Sequence, residues 1–351
     1  MNTSTARLIL ASMALLPAVA VAQQCGDTLH QHTTLHADIV CPPDRPFGLR
    51  IATSNVRLNL NGHTIYVPTT LPQVMVPVCV RTTTGILVEG ADQVVIQGGR
   101  VVDDGWCSSA NGIVFVESNF GAVLDMELKA DRGYGVVLQG AADATIMGNS
   151  FSTMDGVVAE PYPVLGSASN RSDRVRITEN RMNASSFQSR SFARLTGSSG
   201  TLIRNNEVLD ADRFVYAWMS EGLEIISNVS FGRGVPAAFG AWAAIAVAES
   251  DGALIEGNSI KGGSVALMLF GNDHRVYANH LTGTVGAIMI GSNMPLSYAS
   301  AQSRLHGNTL SSLNGGPGIW FAASATRNDA RGNTFKRVRP DVLDQGSMNL
   351  Y

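Results

Sequence analysis

The chain has 351 residues, and its 25 Lys and Arg against 28 Asp and Glu give a formal net charge of −3, which excludes binding to nucleic acid through a dominant basic field. Only 15% of the residues are charged and 45% are hydrophobic, which excludes a long coiled coil and a disordered chain. The 36 glycines and the ample apolar side chains predict a soluble, β-rich protein with a sizeable core.

The first 22 residues have the pattern of a secretory signal. Arg7 supplies a short positive start, an apolar stretch follows, and Ala20-Val21-Ala22 matches a small-x-small cleavage site. The apolar stretch is shorter than the roughly 18–20 residues that a membrane span requires, and no later segment is long enough. We therefore expect cleavage near Ala22 and a secreted or periplasmic protein without a transmembrane segment.

Four cysteines suit an oxidising compartment, where an even number favours disulfides. Of the three possible pairings we favour the sequence-local one, Cys25–Cys41 with Cys79–Cys107, because both bridges would clip N-terminal segments. A zinc site built from all four cysteines is the competitor, and it is disfavoured because no C-x-x-C occurs.

A phrase of two short apolar runs separated by a polar turn recurs along the chain. It reads GILVEGADQVVIQGGRV from Gly85, GIVFVESNFGAVLDMEL from Gly112, GVVLQGAADATIMGNSF from Gly135, AIAVAESDGALIEGNSI from Ala244, VALMLFGNDHRVYANHL from Val265 and GIWFAASATRNDARGNTF from Gly318. Strands this short cannot bury an apolar face alone, so we expect them to stack in parallel coils around an apolar column. Leucine-rich repeats fit less well because their L-x-x-L-x-L pattern is missing. Propeller blades fit less well because each blade needs about 40–50 residues, which is longer than this phrase.

An asparagine lies near the end of the phrases from Gly135 onward, and this position recurs at Asn149, Asn180, Asn206, Asn228, Asn258, Asn279, Asn308 and Asn333. Glycine and asparagine between the runs supply the positive φ that sharp corners need. Asparagines at one corner of successive coils can bond to each other and to the backbone, so we predict an asparagine ladder. The spacing predicts roughly eleven coils.

The stretches CGDTLHQHTTLHADIVCPP from Cys25 and NVRLNLNGHTI from Asn55 resemble the opening of exported right-handed parallel β-helix repeat proteins of the pectin-lyase-like superfamily. The G-I-x-V and G-N-x-I phrases extend the resemblance to about residue 335. It implies an all-β, right-handed, single-stranded parallel β-helix (a solenoid), on which the superfamily carries lyases, hydrolases, epimerases and adhesins.

The predicted organisation is a single folded domain between two short end segments. We expect a signal peptide at 1–22, an N-terminal cap clipped by a disulfide at 23–50, the β-helix at 51–335 and a C-terminal tail or cap at 336–351. We expect a monomer.

Three reaction types are natural on this scaffold, and each requires particular residues. Hydrolysis needs paired carboxylates, and Asp103-Asp104 is the adjacent pair, which we interpret as a turn beside a cysteine. β-Elimination needs a base and a cation that neutralises the sugar carboxylate. The alginate lyase and chondroitinase B-like group supplies a Lys and an Arg, and both are missing from the matching phrases of this sequence. Epimerisation needs a base with a paired acid, for which Asp273-His274 is a candidate, and an ordinary polar turn is the alternative.

Aromatic rings and charged groups that can contact sugars concentrate on the middle coils. The substrate-binding candidates are Tyr162, Arg190, Arg213, Tyr216, Trp218 and Trp242, and the weaker catalytic candidates are Glu160, Arg194 and Asp212 together with Asp273 and His274. A structural interpretation also stands, in which the tryptophans cover the flank of the rod and Arg194 pairs with Glu160.

Metal sites are poorly supported by the sequence, and we predict no cofactor. Calcium needs several converging oxygen ligands, and Glu249-Ser250-Asp251 is the nearest local candidate. The leading hypothesis is a secreted protein that acts on or binds a polysaccharide through a groove on the middle coils. The alternative is a non-catalytic surface, adhesion or structural module.

Overall fold

The computed structural model describes residues 22–42, 45–67, 83–103, 110–160, 171–183, 191–232, 243–292 and 299–351. The regular structure of these ranges is β-strand, and no helix in them is long and apolar enough to cross a membrane. The predicted signal segment, apart from Ala22, and the predicted Cys79–Cys107 bridge lie outside the described residues.

The strands form a right-handed parallel β-helix, which confirms the predicted fold class. In each coil the chain passes through one strand of a first sheet, then a second and a third sheet, and returns to the first one rung higher. Every strand pairs in parallel with its equivalents in the coils before and after it. Neighbouring rungs therefore stand about 4.8 Å apart.

Each sheet is a stack of short strands. The first sheet contains β1 (Asp27–Leu29), β4 (Phe47–Ile51), β7 (Thr84–Glu89), β9 (Asn111–Val116), β15 (Ser191–Thr196), β18 (Arg213–Trp218), β21 (Ala243–Ala248), β24 (Val265–Leu269), β28 (Gly286–Ile290), β32 (Ile319–Phe321) and β35 (Val342–Asp344). The second contains β2 (Thr33–Thr34), β5 (Arg57–Asn59), β11 (Thr145–Met147), β13 (Arg176–Thr178), β16 (Leu202–Arg204), β19 (Glu224–Ile226), β22 (Leu254–Glu256), β26 (Arg275–Tyr277) and β30 (Arg304–His306). The third contains β3 (Ile39–Val40), β6 (Thr64–Tyr66), β14 (Arg181–Asn183), β17 (Glu207–Leu209), β20 (Val229–Phe231), β23 (Ser259–Lys261), β27 (His280–Gly283), β31 (Thr309–Ser312) and β34 (Thr334–Lys336).

Three longer strands bend around the corners between sheets. They are β8 (Val95–Asp103), β10 (Ala122–Gln139) and β12 (Ser150–Glu160), and β10 contributes to all three sheets. A small extra sheet at one corner consists of β25 (Gly271–Asn272), β29 (Ser300–Ala301) and β33 (Ala325–Thr326).

Paired strands also lie within the two predicted end segments. At the N-terminus, β1 pairs with β4, and at the C-terminus β35 pairs with β32. With these two strands the first sheet has thirteen rungs in the described residues, against the roughly eleven expected. The boundaries at residues 50 and 335 remain predictions.

The N-terminal disulfide is present as predicted. Cys25 and Cys41 are bonded across 16 residues of sequence separation, and both sulfurs lie against the first coils. In the chain-entropy account, closing a loop of this length stabilises the fold by about 3 kcal/mol.

The interior of the helix is a continuous apolar column. Inward positions of the three sheets carry Ile, Val, Leu, Ala and Phe, most of them fully buried. In the middle coils three phenylalanines lie above one another: the rings of Phe192 and Phe214 stack with centroids 5.5 Å apart, and Phe151 meets Phe192 edge-on at 6.2 Å.

The predicted asparagine ladder is confirmed, and it runs from Asn149 to Asn333 at the corner between the second and third sheets. Asn206 shows the pattern: its Nδ2 donates to Oδ1 of Asn228 at 2.9 Å and to the carbonyl of Ile177, while its Oδ1 accepts from the backbone N and the Nδ2 of Asn180. The ladder therefore satisfies the buried backbone groups of a corner that lies between the paired strands.

The residue before each ladder asparagine has a left-handed conformation. These residues are Gly148, Glu179, Asn205, Ser227, Gly257, Ala278, Gly307 and Gly332, and their φ angles lie between 53° and 76° whether or not they carry a side chain. Alanine is strained at such a position because its Cβ approaches the following carbonyl.

Replacing Ala278, with its φ of 53°, by glycine is expected to raise the free energy of unfolding by about 0.5–1 kcal/mol. The matched control is Gly307→Ala at the same corner one coil later, where the only atom near an added Cβ is a backbone nitrogen at 4.0 Å. It should lose about 1 kcal/mol through backbone strain alone. Urea unfolding of the two variants checks the pair, and equal effects of the same sign would contradict the account.

Candidate functional site

The outer face of the first sheet presents one continuous row of side chains, which we call the central row. Register pairing places one residue per rung in it: Thr28, Arg50, Leu87, Val114, Val137, Val158, Arg194, Tyr216, Ala246, Met268, Met289, Trp320 and Leu343. Because the strands stack without a register break from β15 to β28, Arg194 and Tyr216 are direct neighbours. The row is apolar on both sides of this pair.

An ion pair holds Arg194 in place at the centre of this face. Its Nε lies 3.4 Å from Oδ2 of Asp155, whose side chain is only 3% exposed, against 34% for that of Arg194. The Asp155 Oδ1 also accepts a hydrogen bond of 2.9 Å from the backbone N of Ser191. The guanidinium of Arg194 further lies 5.0 Å above the ring of Tyr134. The cation is thus fixed by a buried carboxylate and an aromatic ring while one edge meets solvent.

A second cation and two aromatic rings continue the site on the next rung. The guanidinium of Arg213 lies 5.3 Å from the ring centre of Tyr216. Trp218 follows two residues later on the same strand, pairs in register with Thr196 and Ala248, and is 37% exposed. We call Tyr134, Asp155, Arg194, Arg213, Tyr216 and Trp218 the middle cluster.

The remaining predicted residues divide into three groups. Glu160 ends β12, next to the middle cluster, and its Oε1 accepts a 2.9 Å hydrogen bond from Nε2 of Gln139, while the carboxylate that pairs with Arg194 is that of Asp155. Asp212 is half-buried immediately before β18. Tyr162, Arg190 and Trp242 lie outside the described residues.

Asp273 and His274 lie away from the middle cluster, at the corner that leads into β26. Asp273 is exposed with a φ of 57°, whereas His274 is fully buried inside the coil. The backbone N of Ala253 donates to Nδ1 of His274 at 3.3 Å, so the neutral ring carries its proton on Nε2. The two side chains therefore occupy opposite environments, and His274 fills the interior.

Tyr134 and Asp155 were not among the predicted site residues, although a signal for them exists. Tyr134 immediately precedes Gly135, which opens a repeat phrase, Asp155 precedes Gly156, which starts a similar apolar run, and Asn111 holds the same place before Gly112. The structure pairs Tyr134 with Asp155 in register. Aligning the phrases on their glycines would have shown this polar column.

Burial lowers the pKa of His274 to about 4, since desolvation disfavours the charged ring more strongly than Asp251 and Asp273 favour it. The unfolded chain has an ordinary histidine pKa near 6.5. The neutral, buried ring therefore contributes stability that is complete above pH 6.5 and is lost as the pH falls towards 4.

His274→Gln, which keeps an acceptor for the Ala253 amide, is expected to flatten the stability curve between pH 6.5 and 4 by about 3 kcal/mol relative to the parent chain. The pKa values of the Asp143 and Asp329 carboxyls are also lowered, but the stability that these carboxylates contribute is lost only as the pH falls below about 3.8, outside the range of His274. Urea unfolding at several pH values measures both curves. Parallel curves for the two proteins would contradict the assignment.

The C-terminal part of the chain matches a known protein family. Residues 168–350, a little more than half of the chain, match the family described as "Periplasmic copper-binding protein (NosD)". The chain belongs to the NosD family. The family and the Cys25–Cys41 disulfide together support a periplasmic or secreted location. No curated protein matches the sequence.

Solved structures similar to this NosD-family chain share its fold at low sequence identity. A mutant of the periplasmic alginate epimerase AlgG has a TM-score of 0.63 at 12% identity, over 90% of this chain and 76% of its own. The Streptococcus pneumoniae surface protein and adhesin PfbA has a TM-score of 0.55 at 11% identity, over 93% and 90%. The Dettilon tailspike protein has a TM-score of 0.53 at 18% identity, over 92% and 60%. At these identities the similarity shows the parallel β-helix alone.

The donor groups of the described residues do not fit a copper centre. They contain no group of three or more His, Cys, Asp or Glu side chains that could hold a metal ion, and both described cysteines are in a disulfide. Met268 and Met289 place two thioethers, which are soft ligands, on neighbouring rungs of the central row. No His, Cys, Asp or Glu of the described central row lies beside these two thioethers, so that row does not supply the donor set of a tight copper site.

Proposed function

We propose that the outer face of the first sheet binds an extended, anionic polysaccharide across the middle cluster. The observation that carries the proposal is the direct register pairing of Arg194 with Tyr216 in the central row. Cationic and aromatic groups on adjacent rungs suit a polymer that offers carboxylates and sugar faces at successive positions.

Preorganisation supports the proposal. The ion pair with Asp155 and the ring of Tyr134 hold the Arg194 side chain before any ligand arrives. Binding then orders little additional side chain, so more of the interaction energy appears as affinity. The exposed ring of Trp218 adds a stacking surface beside the row.

The proposal is for binding without cleavage. Hydrolysis of a glycosidic bond needs two carboxyl groups that reach the bond from both sides. Among the described residues, Asp155 of the middle cluster is covered and paired with Arg194, and the adjacent Glu160 accepts a hydrogen bond from Gln139. A non-catalytic binding module is therefore the form of the hypothesis that this geometry favours.

Trp218→Ala is expected to weaken binding of polygalacturonate or alginate about tenfold or more, because it removes the exposed stacking surface. Isothermal titration with the full chain measures the affinity, and neutral dextran should bind much more weakly than either acidic polymer. The matched control is Phe231→Ala, which removes a ring 47% exposed on the third sheet of the same coil.

Two results would overturn the proposal. One is equal loss of affinity in the Trp218 and Phe231 variants, and the other is no binding of acidic polysaccharide by the parent chain. Release of reducing or unsaturated ends during the same incubations would replace binding by an enzymatic function.

A further inference from the structure

The central row continues from the middle cluster into an apolar groove. The groove has a volume of about 820 Å³ and follows the outer face of the first sheet from β18 to β35. Six rungs, from Tyr216 to Leu343, give it a length of about 24 Å. This volume lies within the range of small-molecule sites, roughly 300–1,000 Å³.

The shape of the groove follows from the size of the side chains along it. Ala243, Ala246 and Gly286 leave a low floor, because their side chains extend little from the sheet. Met268, Met289 and Trp320 stand on the same face, and the indole Nε1 of Trp320 donates to Gln345 at 3.1 Å, which fixes the orientation of the ring.

The described lining of the groove is almost entirely uncharged. Arg213, which also belongs to the middle cluster, is the one charged residue among the described lining residues and lies at one end of the groove. Its guanidinium stacks on Tyr216 and thereby stands at the mouth of the groove. An apolar channel with a single cation at one end complements a hydrocarbon chain that carries an anionic group at its end.

We propose that this groove binds an amphiphile with a single hydrocarbon chain and an anionic head, the chain lying along Ala246, Met268 and Met289 and the head at Arg213. The groove shares Arg213 and Tyr216 with the polysaccharide surface, and the rest of its lining lies beyond the middle cluster. Methionine side chains suit such a ligand because they are flexible and adapt to a chain without fixed shape.

The test is isothermal titration of the full chain with hexadecanoate, hexadecyl phosphate, decanoate and a hexadecyl trimethylammonium salt, each below the concentration at which it forms micelles. Hexadecanoate should bind at one saturable site and at least 100-fold more tightly than decanoate, since each buried methylene adds affinity. The cationic amphiphile should bind at least tenfold more weakly than hexadecanoate. The carboxylate and phosphate arms distinguish the two sources of the anionic head.

Ala246→Trp should lower the affinity for hexadecanoate at least tenfold by filling the floor, while Ser259→Trp, on the third sheet of the same coil, should leave it unchanged. Met268→Glu, which places a carboxylate in the channel, serves as a second variant if Ala246→Trp does not fold. Three results would overturn the proposal: an affinity for hexadecanoate in folded Ala246→Trp or Met268→Glu equal to that of the parent chain, an affinity that does not depend on the length of the hydrocarbon chain, or no binding of amphiphile at all. If the parent chain binds no amphiphile but self-associates, and Ala246→Trp abolishes that self-association, the groove is instead a contact between protein chains. The Trp218→Ala variant separates this site from the polysaccharide surface, because it should retain hexadecanoate binding.

Discussion

Replacing Asn206 by leucine is expected to lower the free energy of unfolding by about 4 kcal/mol. The change removes the acceptor of two buried donors, the backbone N and the Nδ2 of Asn180, and the donor to Oδ1 of Asn228. Each buried polar group left without a partner costs about 1–3 kcal/mol. The corner lies between the paired strands, so the neighbouring coils cannot supply replacement partners.

Urea unfolding of Asn206→Leu against the parent chain measures this loss. The control is Asn183→Leu, because Asn183 is an exposed asparagine on the third sheet and its replacement should change stability by less than about 0.5 kcal/mol. In a stack where each coil contacts only its neighbours, we also expect the variant to unfold in two steps that separate near the damaged rung. A loss below 1 kcal/mol for Asn206→Leu would show that the ladder is not a stabilising element.

Phe192→Ala is expected to destabilise the chain by about 3–5 kcal/mol. Phe192 is fully buried and stands between Phe151 and Phe214, so its removal opens a cavity inside the apolar column. It also lies two residues before Arg194 on β15, directly beneath the middle cluster. We therefore expect a weaker affinity for acidic polysaccharide as well, because the strand that positions the cation loses its support.

Thermal and urea unfolding measure the first effect, and titration with polygalacturonate measures the second. Phe231→Ala, at the exposed ring on the third sheet, should change neither by more than a small amount. Destabilisation of similar size in both variants would contradict the proposed column of stacked rings.

The fold followed from the sequence because each coil repeats the same local requirements. Asn206 and Asn228 belong to a series of asparagines that recurs along the sequence, and their bonding could be predicted once the coils were stacked. Even so, the strands at Asp27–Leu29 and Val342–Asp344 were not predicted, because β1 and β35 carry no complete phrase.

The candidate site was predicted less completely than the fold, because the alternation of apolar and polar residues does not by itself say which residues of a strand face outward. Tyr216 and Trp218 were named as candidates, and the register shows them on the outer face with Arg194. Asp155 was missed because its role depends on contact with Arg194 in the next coil, 39 positions away in the sequence. His274 was misleading for the opposite reason: its polar neighbours in sequence conceal a buried side chain.

The most direct test of the account is a crystal structure of the full chain with a galacturonan oligosaccharide. We predict a sugar carboxylate within about 2.7–3.2 Å of the Arg194 guanidinium and a sugar ring against Trp218. An oligosaccharide ordered only on the second or third sheet, with no contact to Arg194 or Tyr216, would contradict it.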